Sequence, residues 1–499
     1  MADFSPPAAQ DIGIAPSRYN IRVPLKEGRE LLYNSLSRAT CVLDPADARA
    51  LDGCASVGLA DARDDEILSS LLNNGFVLPT SVDELRAVED LYWQSRGHKS
   101  SVTLTICPTL FCNFGCDYCF QGAVKPVQAM RPDVQDGICA LYERILDEQP
   151  ETEFAQIIWY GGEPLVRKGI IFELAEKLNE ITRRRGRNSA AAMVSNGYML
   201  DRPTAQRLYD LGLRMVQITL DGDQEAHDQR RALLSTRGTY EKIVSNMRSW
   251  IDDIGIKVNL RVNVDERNRD DISALIDDLA ERGFGFRQNF KMYFAPVESV
   301  TRGCHSVADK MLVKREYGGL EADFYVQAFR KGLADLPYPS YFIGICSALR
   351  KRDFIVVPCG DVHKCWDTVS FPEHRIGTVS DLDALFAGGS PRQNAWAAFD
   401  PLSHPTCRSC KILPNCAGFC AHKFLNSGEV AGEASLPCPS LKYSINEKLV
   451  HMAVARGSIA ADDFDPDQIR TDPLALCEER FDAVDYAHYA YEPEAVPAR

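Results

Sequence analysis

The sequence has no run of 18 consecutive apolar residues, no basic run and no Walker-type glycine loop. The first absence argues against a membrane span, and the second against partners such as nucleic acids or anionic membrane surfaces. The first twenty residues also lack the basic and apolar segments of a secretory signal, so we expect a cytoplasmic protein. A net charge of −14, from 56 basic and 70 acidic residues, likewise argues against nucleic acids and anionic membrane surfaces as partners.

Cysteine is the residue type that the sequence has in excess. The 17 cysteines are an odd number, and ten of them fall into two spaced clusters. Such crowding in a long chain without an export signal does not indicate a disulfide framework. In a reducing compartment it is more typical of metal ligation or redox chemistry.

The middle of the chain alternates strand and helix patterns. Ile272, Leu275, Ile276 and Leu279 mark one face of a helix that Gly283 ends. Six such β-then-α units in residues 99–300 predict a parallel sheet with helices outside it, either flat or curled into a barrel. In both cases the active groups should lie on the loops after the carboxyl ends of the strands.

The sequence predicts separate structural units at the two ends of the chain. Residues 1–98 predict strands followed by three helices, a small α+β module whose last helix Thr80 or Ser81 can cap together with Glu84. Residues 301–345 predict a connecting, partly helical segment, and 346–440 a cysteine-rich domain with too little apolar periodicity to order itself. Residues 441–499 predict a helix and an acidic tail, whose aromatic residues suggest docking: Phe464, Phe481, Tyr486, Tyr489 and Tyr491.

The first cysteine cluster follows the first strand of the alternating region. Cys112, Cys116 and Cys119 have the spacing C-x3-C-x2-C. Three thiolates on one loop suit a 4Fe–4S cube with one iron left for an outside ligand. The alternatives are a zinc site that lacks one ligand, or three buried thiols.

This spacing, with Tyr118 before the third cysteine, resembles that of the radical S-adenosylmethionine (SAM) superfamily. The resemblance implies an α/β fold with a partial (β/α)6 barrel and one SAM-binding cluster. Further segments after successive strands match the family's SAM-contacting loops. By position, the implied SAM-binding residues are Gly161, Gly162, Glu163, Pro164, Ser195, Asn196, Thr219 and Arg261.

The second cysteine cluster resembles the SPASM extension of radical SAM enzymes that modify peptides and proteins. That resemblance implies two auxiliary 4Fe–4S clusters, and therefore three clusters in all. Cys346, Cys365 and Cys420 would hold the nearer one, with Cys359 as a candidate for its missing ligand. The farther one would take Cys407, Cys410, Cys416 and Cys438. Two structural zinc sites are the alternative.

The module 1–98 resembles the winged-helix-like PqqD element, which binds a leader peptide as an added strand. Together these resemblances imply a maturase that uses a 5′-deoxyadenosyl radical to form a thioether or carbon–carbon cross-link in a ribosomally made precursor peptide. A flavodoxin or ferredoxin would be the electron donor. The residue for any catalytic acid–base step is left open.

Three other functions stay open at this point. A sulfatase-maturating enzyme would oxidise Cys or Ser to formylglycine with the help of a carboxylate base, and Asp367 lies near the auxiliary cysteines in sequence. Epimerisation would require a hydrogen-donating cysteine such as Cys304 or Cys359. The third alternative is a protein without enzymatic activity, namely a scaffold that is held together by zinc sites and binds peptides.

Overall fold

The computed structural model describes residues 12–122, 125–235, 238–341, 346–431 and 437–477. The N-terminal module is an α+β unit in which β2, β3 and β4 form an antiparallel sheet, while β1 pairs with β5. Its strands are β1 (Ile14–Pro16), β2 (Asn20–Pro24), β3 (Glu30–Asn34), β4 (Thr40–Leu43) and β5 (Val77–Pro79). Its helices are α1 (Pro45–Gly53), α2 (Leu59–Asp64), α3 (Glu66–Asn73) and α4 (Glu84–Arg96).

The start of α4 differs from the sequence-based expectation. Asp83 is its N-cap, and its carboxylate accepts a hydrogen bond from the Arg86 amide at 2.9 Å. Neither Thr80 nor Ser81 caps the helix, because both precede that position. The Glu84 carboxylate instead accepts a hydrogen bond from the Arg18 amide at 2.9 Å and ties the helix to the start of the module.

The middle region is a sheet of six parallel strands with helices between them. The strands are β6 (Ser101–Ile106), β7 (Phe154–Trp159), β8 (Asn188–Val194), β9 (Leu213–Thr219), β10 (Lys257–Val264) and β11 (Phe290–Pro296). The helices are α5 (Pro132–Glu148), α6 (Lys168–Arg184), α7 (Arg202–Asp210), α8 (Gln224–Arg230), α9 (Tyr240–Arg248), α10 (Ile272–Glu281) and α11 (Lys314–Arg330). All four apolar residues predicted on the inner face of α10 are buried.

Strand order decides between a flat sheet and a barrel. The six strands pair in chain order without a reversal. Right-handed crossovers then place all the helices on one face, so the sheet curls around the other face. Within the described residues β11 does not pair with β6, and the barrel is therefore partial, which confirms the predicted fold class.

The cysteine-rich region is fused to this sheet. Its strand β12 (Phe354–Val356) pairs in parallel with β6, and β13 (Asp361–His363) and β14 (Gly377–Thr378) continue the sheet antiparallel. The helices are α12 (Leu382–Ala387), α13 (Pro391–Ala398), α14 (Pro405–Ser409), α15 (Leu413–Cys416), α16 (Ala421–Leu425) and α17 (Leu441–Ala455). Contrary to expectation, this region has apolar packing of its own, because Trp396, Phe399 and Phe424 are buried.

The helix predicted after Cys438 is α17, which packs against α11. Phe464 in the following segment is half-buried against the same apolar cluster as α17. The other four tail aromatics, Phe481, Tyr486, Tyr489 and Tyr491, lie outside the described residues. None of the helices in the described ranges combines the length and the apolar content needed to span a bilayer.

Candidate functional site

A cavity of about 390 Å³ lies at the carboxyl ends of the parallel strands. It is bounded on one side by the three-cysteine loop after β6 and on the other by the cysteine-rich region. Six of the eight predicted SAM-binding residues line it, namely Gly161, Gly162, Ser195, Asn196, Thr219 and Arg261. Residues distant in sequence are brought together because successive parallel strands end at the same edge of the sheet.

The three-cysteine loop turns tightly along the wall of this cavity. Cys112, Cys116 and Cys119 all line the cavity. The Cys119 amide donates to the Cys116 carbonyl at 3.4 Å, and the Phe114 amide donates to Cys112 Sγ at 3.4 Å. Backbone amides that donate to sulfur favour the thiolate, the form that binds iron.

Lys125 lies beside all three thiols. Burial raises the pKa of Cys112 to about 12, whereas the Lys125 ammonium lowers it. Burial by itself lowers the pKa of Lys125, but Cys119, Cys112 and Cys116 together raise it above its usual value. Sequence reasoning did not identify Lys125, because a single lysine six positions after Cys119 carries no pattern.

The Gly161-Gly162-Glu163 segment packs directly on the cysteine loop. Gly162 N donates to Thr109 O at 3.2 Å and Glu163 N to Phe111 O at 2.9 Å. A Cβ at Gly161 would collide with the Thr109 carbonyl, and one at Gly162 with the carbonyls before Cys112. The glycines are therefore required by backbone contact with the cysteine loop, in addition to any contact with a ligand.

Glu163 and Pro164 do not line the cavity among the described residues. The Glu163 carboxylate is fully buried and accepts hydrogen bonds from Ser195 Oγ at 2.9 Å, Asn196 N at 2.7 Å and Leu165 N at 3.0 Å. Two of these donors, Ser195 and Asn196, belong to the loop after β8. The hydrogen bonds from them to the Glu163 carboxylate therefore hold that loop in position. Glu163 and Pro164 therefore stay predicted SAM-binding residues of the sequence analysis, without a place on the cavity wall in the part of the chain that the structure describes.

Arg261 extends from β10 into the barrel. Its Nε donates to Asn263 Oδ1 at 2.7 Å, and its Nη1 lies 3.4 Å from the Tyr293 hydroxyl. None of these partners carries a full negative charge. The guanidinium on the cavity wall therefore retains the capacity to pair with an anionic ligand group.

The first auxiliary set forms on the opposite side of the cavity. Burial raises the pKa of Cys365 and of Cys420 most; Asp367 and then Cys346 raise both further, and Cys420 also raises that of Cys365. Cys420 also lines the cavity. The structure thus brings together the three cysteines that the sequence spacing assigned to the nearer cluster.

Cys359, the sequence-based candidate for the missing ligand, is not among the groups that shift the pKa values of Cys346, Cys365 and Cys420 most. It is exposed in the turn between β12 and β13, where its charged neighbours are Asp361 and Arg131.

Asp367 lies beside the first auxiliary set, with its Oδ2 3.7 Å from Cys365 Sγ. Ligand atoms of Cys365, Asp367 and His422 lie within 4.8 Å of one another. Both ring nitrogens of His422 already have partners, Val300 O at 2.9 Å and Asn426 Nδ2 at 3.1 Å. Asp367 is therefore the better placed of the two additional side chains.

The second auxiliary set gathers around Lys442. Cys407, Cys410, Cys416 and Cys438 each have a pKa that is raised by burial or by neighbouring thiols and lowered by this lysine. Each of these four thiols thus lies near the Lys442 ammonium. The donor set fits a sulfur-ligated cluster, because soft thiolates are the ligands that iron–sulfur clusters and zinc prefer.

A buried charge cluster lies between the main cavity and the second auxiliary set. Glu298 lines the cavity, and its carboxylate pairs with Lys423 Nζ at 2.7 Å and Lys314 Nζ at 3.3 Å. Burial raises the pKa of Glu298, but the two lysines lower it below its usual range. A second cavity of about 350 Å³ shares Glu298 and extends to Cys438. Nothing in the sequence pattern identified this cluster.

Comparison with known proteins agrees with the geometry. Residues 106–279 match the family model of the Radical SAM superfamily. The chain is 28% identical over 170 residues to Fe-coproporphyrin III synthase of Methanosarcina barkeri. The aligned stretch covers 34% of this chain and 39% of that protein. The chain is 23% identical over 349 residues to the serine-type anaerobic sulfatase-maturating enzyme of Bacteroides thetaiotaomicron, covering 62% and 80% respectively.

Among solved structures, native anSMEcpe with bound AdoMet and Cp18Cys peptide matches with a TM-score of 0.52 at 19% identity. The match covers 71% of this chain and 98% of that chain. This likeness supports the fold. The chain spans 39% of the length of the methanogen relative, so the match there is confined to the shared domain.

Proposed function

Because residues 106–279 form a radical SAM domain, we propose that the chain is a maturase that acts on a ribosomally made precursor peptide and forms a thioether or carbon–carbon cross-link. One observation carries the proposal: the three-cysteine loop, the strand-end residues and Cys420 of the first auxiliary set face the same cavity. A peptide residue held there would lie between a radical source and an auxiliary electron acceptor.

A radical SAM domain implies SAM and one 4Fe–4S cluster. Cys112, Cys116 and Cys119 fit such a cluster, since they are three thiols on one cavity wall with a neighbouring cation, Lys125. When bound and reduced, this pair supplies a 5′-deoxyadenosyl radical that removes hydrogen from an unactivated carbon. Arg261 is placed to bind the SAM carboxylate.

The other named residues have supporting roles in this proposal. The backbone of Gly161 and Gly162 would contact the SAM amino group, and Ser195, Asn196 and Thr219 would contact its sugar and base. The side chain of Glu163, which Pro164 follows in the chain, would hold the loops that carry these residues in position. The two auxiliary sets would bind one 4Fe–4S cluster each, with Asp367 rather than Cys359 completing the nearer one.

The N-terminal module is proposed to bind the leader of the precursor peptide. Strand β4 is an edge strand of the three-stranded sheet. Beside it lies a cavity of about 260 Å³ lined by Cys41, Val42, Tyr338 and Met452. Adding a strand to β4 would satisfy its free backbone groups and place the leader's side chains in this cavity.

A second candidate function is oxidation of a Cys or Ser residue to formylglycine in a sulfatase. Asp367 favours it, because this carboxylate lines the main cavity beside the first auxiliary set. A carboxylate there could accept the proton of a substrate thiol or hydroxyl. Similarity to a sulfatase-maturating enzyme supports the same candidate.

The test incubates the anaerobic, reduced protein with SAM and a peptide encoded by a neighbouring gene. A cross-linking maturase should produce 5′-deoxyadenosine and a peptide lighter by two hydrogen atoms, and tandem mass spectrometry should locate the new bond. Formylglycine would instead react with a hydrazide probe. Epimerisation would leave the mass unchanged but introduce deuterium from heavy water.

Two controls make the result specific. Cys116→Ala should give neither product, and a peptide without its leader should react far more slowly. Flavodoxin or ferredoxin should replace the chemical reductant. Deoxyadenosine formation without any change in peptide would contradict the substrate class that we propose.

A further inference from the structure

A fifth cysteine lies at the second auxiliary set. Cys477 is half-buried and belongs to the same apolar cluster as Cys410 and Cys416. The backbone fixes this proximity, because Lys411 N donates to Leu476 O at 2.7 Å. Leu476 is itself buried, which anchors the end of the described chain beside Cys410.

The sulfur of Cys477 shares its surroundings with the predicted ligands. Lys442 Nζ lies 3.3 Å from Cys477 Sγ. The thiols of Cys410 and Cys477 are within hydrogen-bonding reach of each other. After the larger effect of burial, Cys477 also raises the pKa of Cys407 and of Cys438, so its sulfur lies near theirs.

Five sulfurs therefore surround a site at which a cube with four irons needs only four. A cysteine sulfur moves between three positions by rotation about a single bond, χ1. Cys410 and Cys477, whose thiols contact each other, are therefore the two sulfurs that can reach the same iron. Whichever of them is unbound can donate an S–H hydrogen bond to the bound one.

We propose that Cys477 is an alternative ligand of the second auxiliary cluster, able to take the place of Cys410 on one iron. This inference rests on the proposed function, which assigns a cluster to the second auxiliary set. Its consequence is redundancy at one corner only: the cluster tolerates the loss of either sulfur of the pair, but not the loss of both.

The test compares iron and sulfide content, together with Mössbauer spectra, in five anaerobically purified full-length proteins. These are the wild type, Cys410→Ser, Cys477→Ser, the double variant and Cys416→Ser. Cys416 is the matched control, because it belongs to the same set and Cys477 is not among the groups that shift its pKa most. Serine keeps the size of the side chain and limits folding defects.

We expect Cys410→Ser and Cys477→Ser each to retain the iron content of the wild type. The double variant and Cys416→Ser should each lose about four irons per chain. If Cys410→Ser loses as much iron as Cys416→Ser, the inference is wrong although the second cluster exists. A disulfide between Cys410 and Cys477 in the anaerobic protein would also overturn it.

The same experiment separates this failure from failure of the proposed function. If Cys416→Ser has the same iron content as the wild type, the second auxiliary set holds no iron in the wild type. That result would contradict the proposed cluster itself. In that case the role of Cys477 as its ligand is contradicted as well.

Discussion

The hydroxyl of Tyr118 donates a hydrogen bond to the carboxylate of Asp221, which is fully buried after the end of β9. The other oxygen of Asp221 accepts a hydrogen bond from the Asn263 amide at 2.9 Å. Arg231 donates to the same Tyr118 hydroxyl and lies 3.7 Å from Asp221. One tyrosine thus joins the cysteine loop to Asp221 and Arg231, which both lie between β9 and β10, and through Asp221 to Asn263 of β10.

We expect Tyr118→Phe to loosen the cysteine loop. The substitution leaves the buried Asp221 carboxylate with one donor fewer, which should lower the free energy of unfolding by about 1–3 kcal/mol. Urea unfolding of the anaerobic protein measures this change. Tyr209→Phe, on α7, is the control and should have little effect; equal stabilities of the two variants would contradict the role of Tyr118.

Arg261→Met should weaken SAM binding while the protein stays folded. Loss of a charge-assisted hydrogen bond to a carboxylate costs about 1.5–3 kcal/mol, which corresponds to roughly a 10- to 100-fold higher Kd. Equilibrium dialysis with SAM measures the Kd directly. Arg214→Met, at a surface position of β9, is the control. An unchanged Kd in Arg261→Met would remove Arg261 from the SAM site.

Glu163 should make stability depend on pH. Burial raises its pKa from 4.5 to about 7, although its hydrogen-bond donors lower it. The folded protein therefore keeps a proton that the unfolded chain has already lost. This contribution is fully present below pH 4.5 and is lost as the pH rises through 7, a change of about 3 kcal/mol.

Glu163→Gln should therefore flatten the fall in unfolding free energy between about pH 5 and pH 8. Glu180→Gln, at an exposed position on α6, should retain the slope of the wild type. If the free energy of unfolding depends on pH in the same way in the wild type and in Glu163→Gln, the Glu163 carboxyl does not titrate as its burial predicts.

Cys359→Ala should retain the iron content of the wild type, because Cys359 is exposed and faces Arg131 and Asp361. Asp367→Ala should change the Mössbauer spectrum of the first auxiliary cluster, since it removes the carboxylate beside Cys365. If Cys359→Ala loses iron and Asp367→Ala does not, the original sequence-based assignment of Cys359 stands.

Periodicity predicted the barrel because its strands and helices bury long apolar faces. It could not predict β12, a strand of three residues whose place beside β6 depends on contacts across 250 positions. The predicted N-cap residue of α4 was wrong for a similar reason. Thr80, Ser81 and Asp83 are all suitable residue types, and only the path of the chain selects Asp83.

For Cys112, Cys116 and Cys119 the spacing alone indicates proximity, because residues on one short loop are close in any fold. The assignment of the other cysteines came from the resemblance to the SPASM extension and stays a prediction. Cys359 stays a sequence-based candidate, which the structure shows to be exposed beside Asp361 and Arg131. The sequence placed Asp367 near the auxiliary cysteines but offered it as a base, and it did not single out Lys125 or Cys477, because neither belongs to a recognised motif. Glu163 was recognised, but only the structure shows that its carboxylate is occupied by Ser195 and Asn196.

The central claim is that Cys112, Cys116 and Cys119 hold a cluster that cleaves SAM. The most direct test measures 5′-deoxyadenosine and methionine after reduction of the anaerobic protein with SAM, in the wild type, Cys116→Ala and the control Cys139→Ala. We predict equimolar products from the wild type and Cys139→Ala, and none from Cys116→Ala. Product formation by Cys116→Ala at the rate of the wild type, or a colourless wild-type protein with stoichiometric zinc, would contradict the claim.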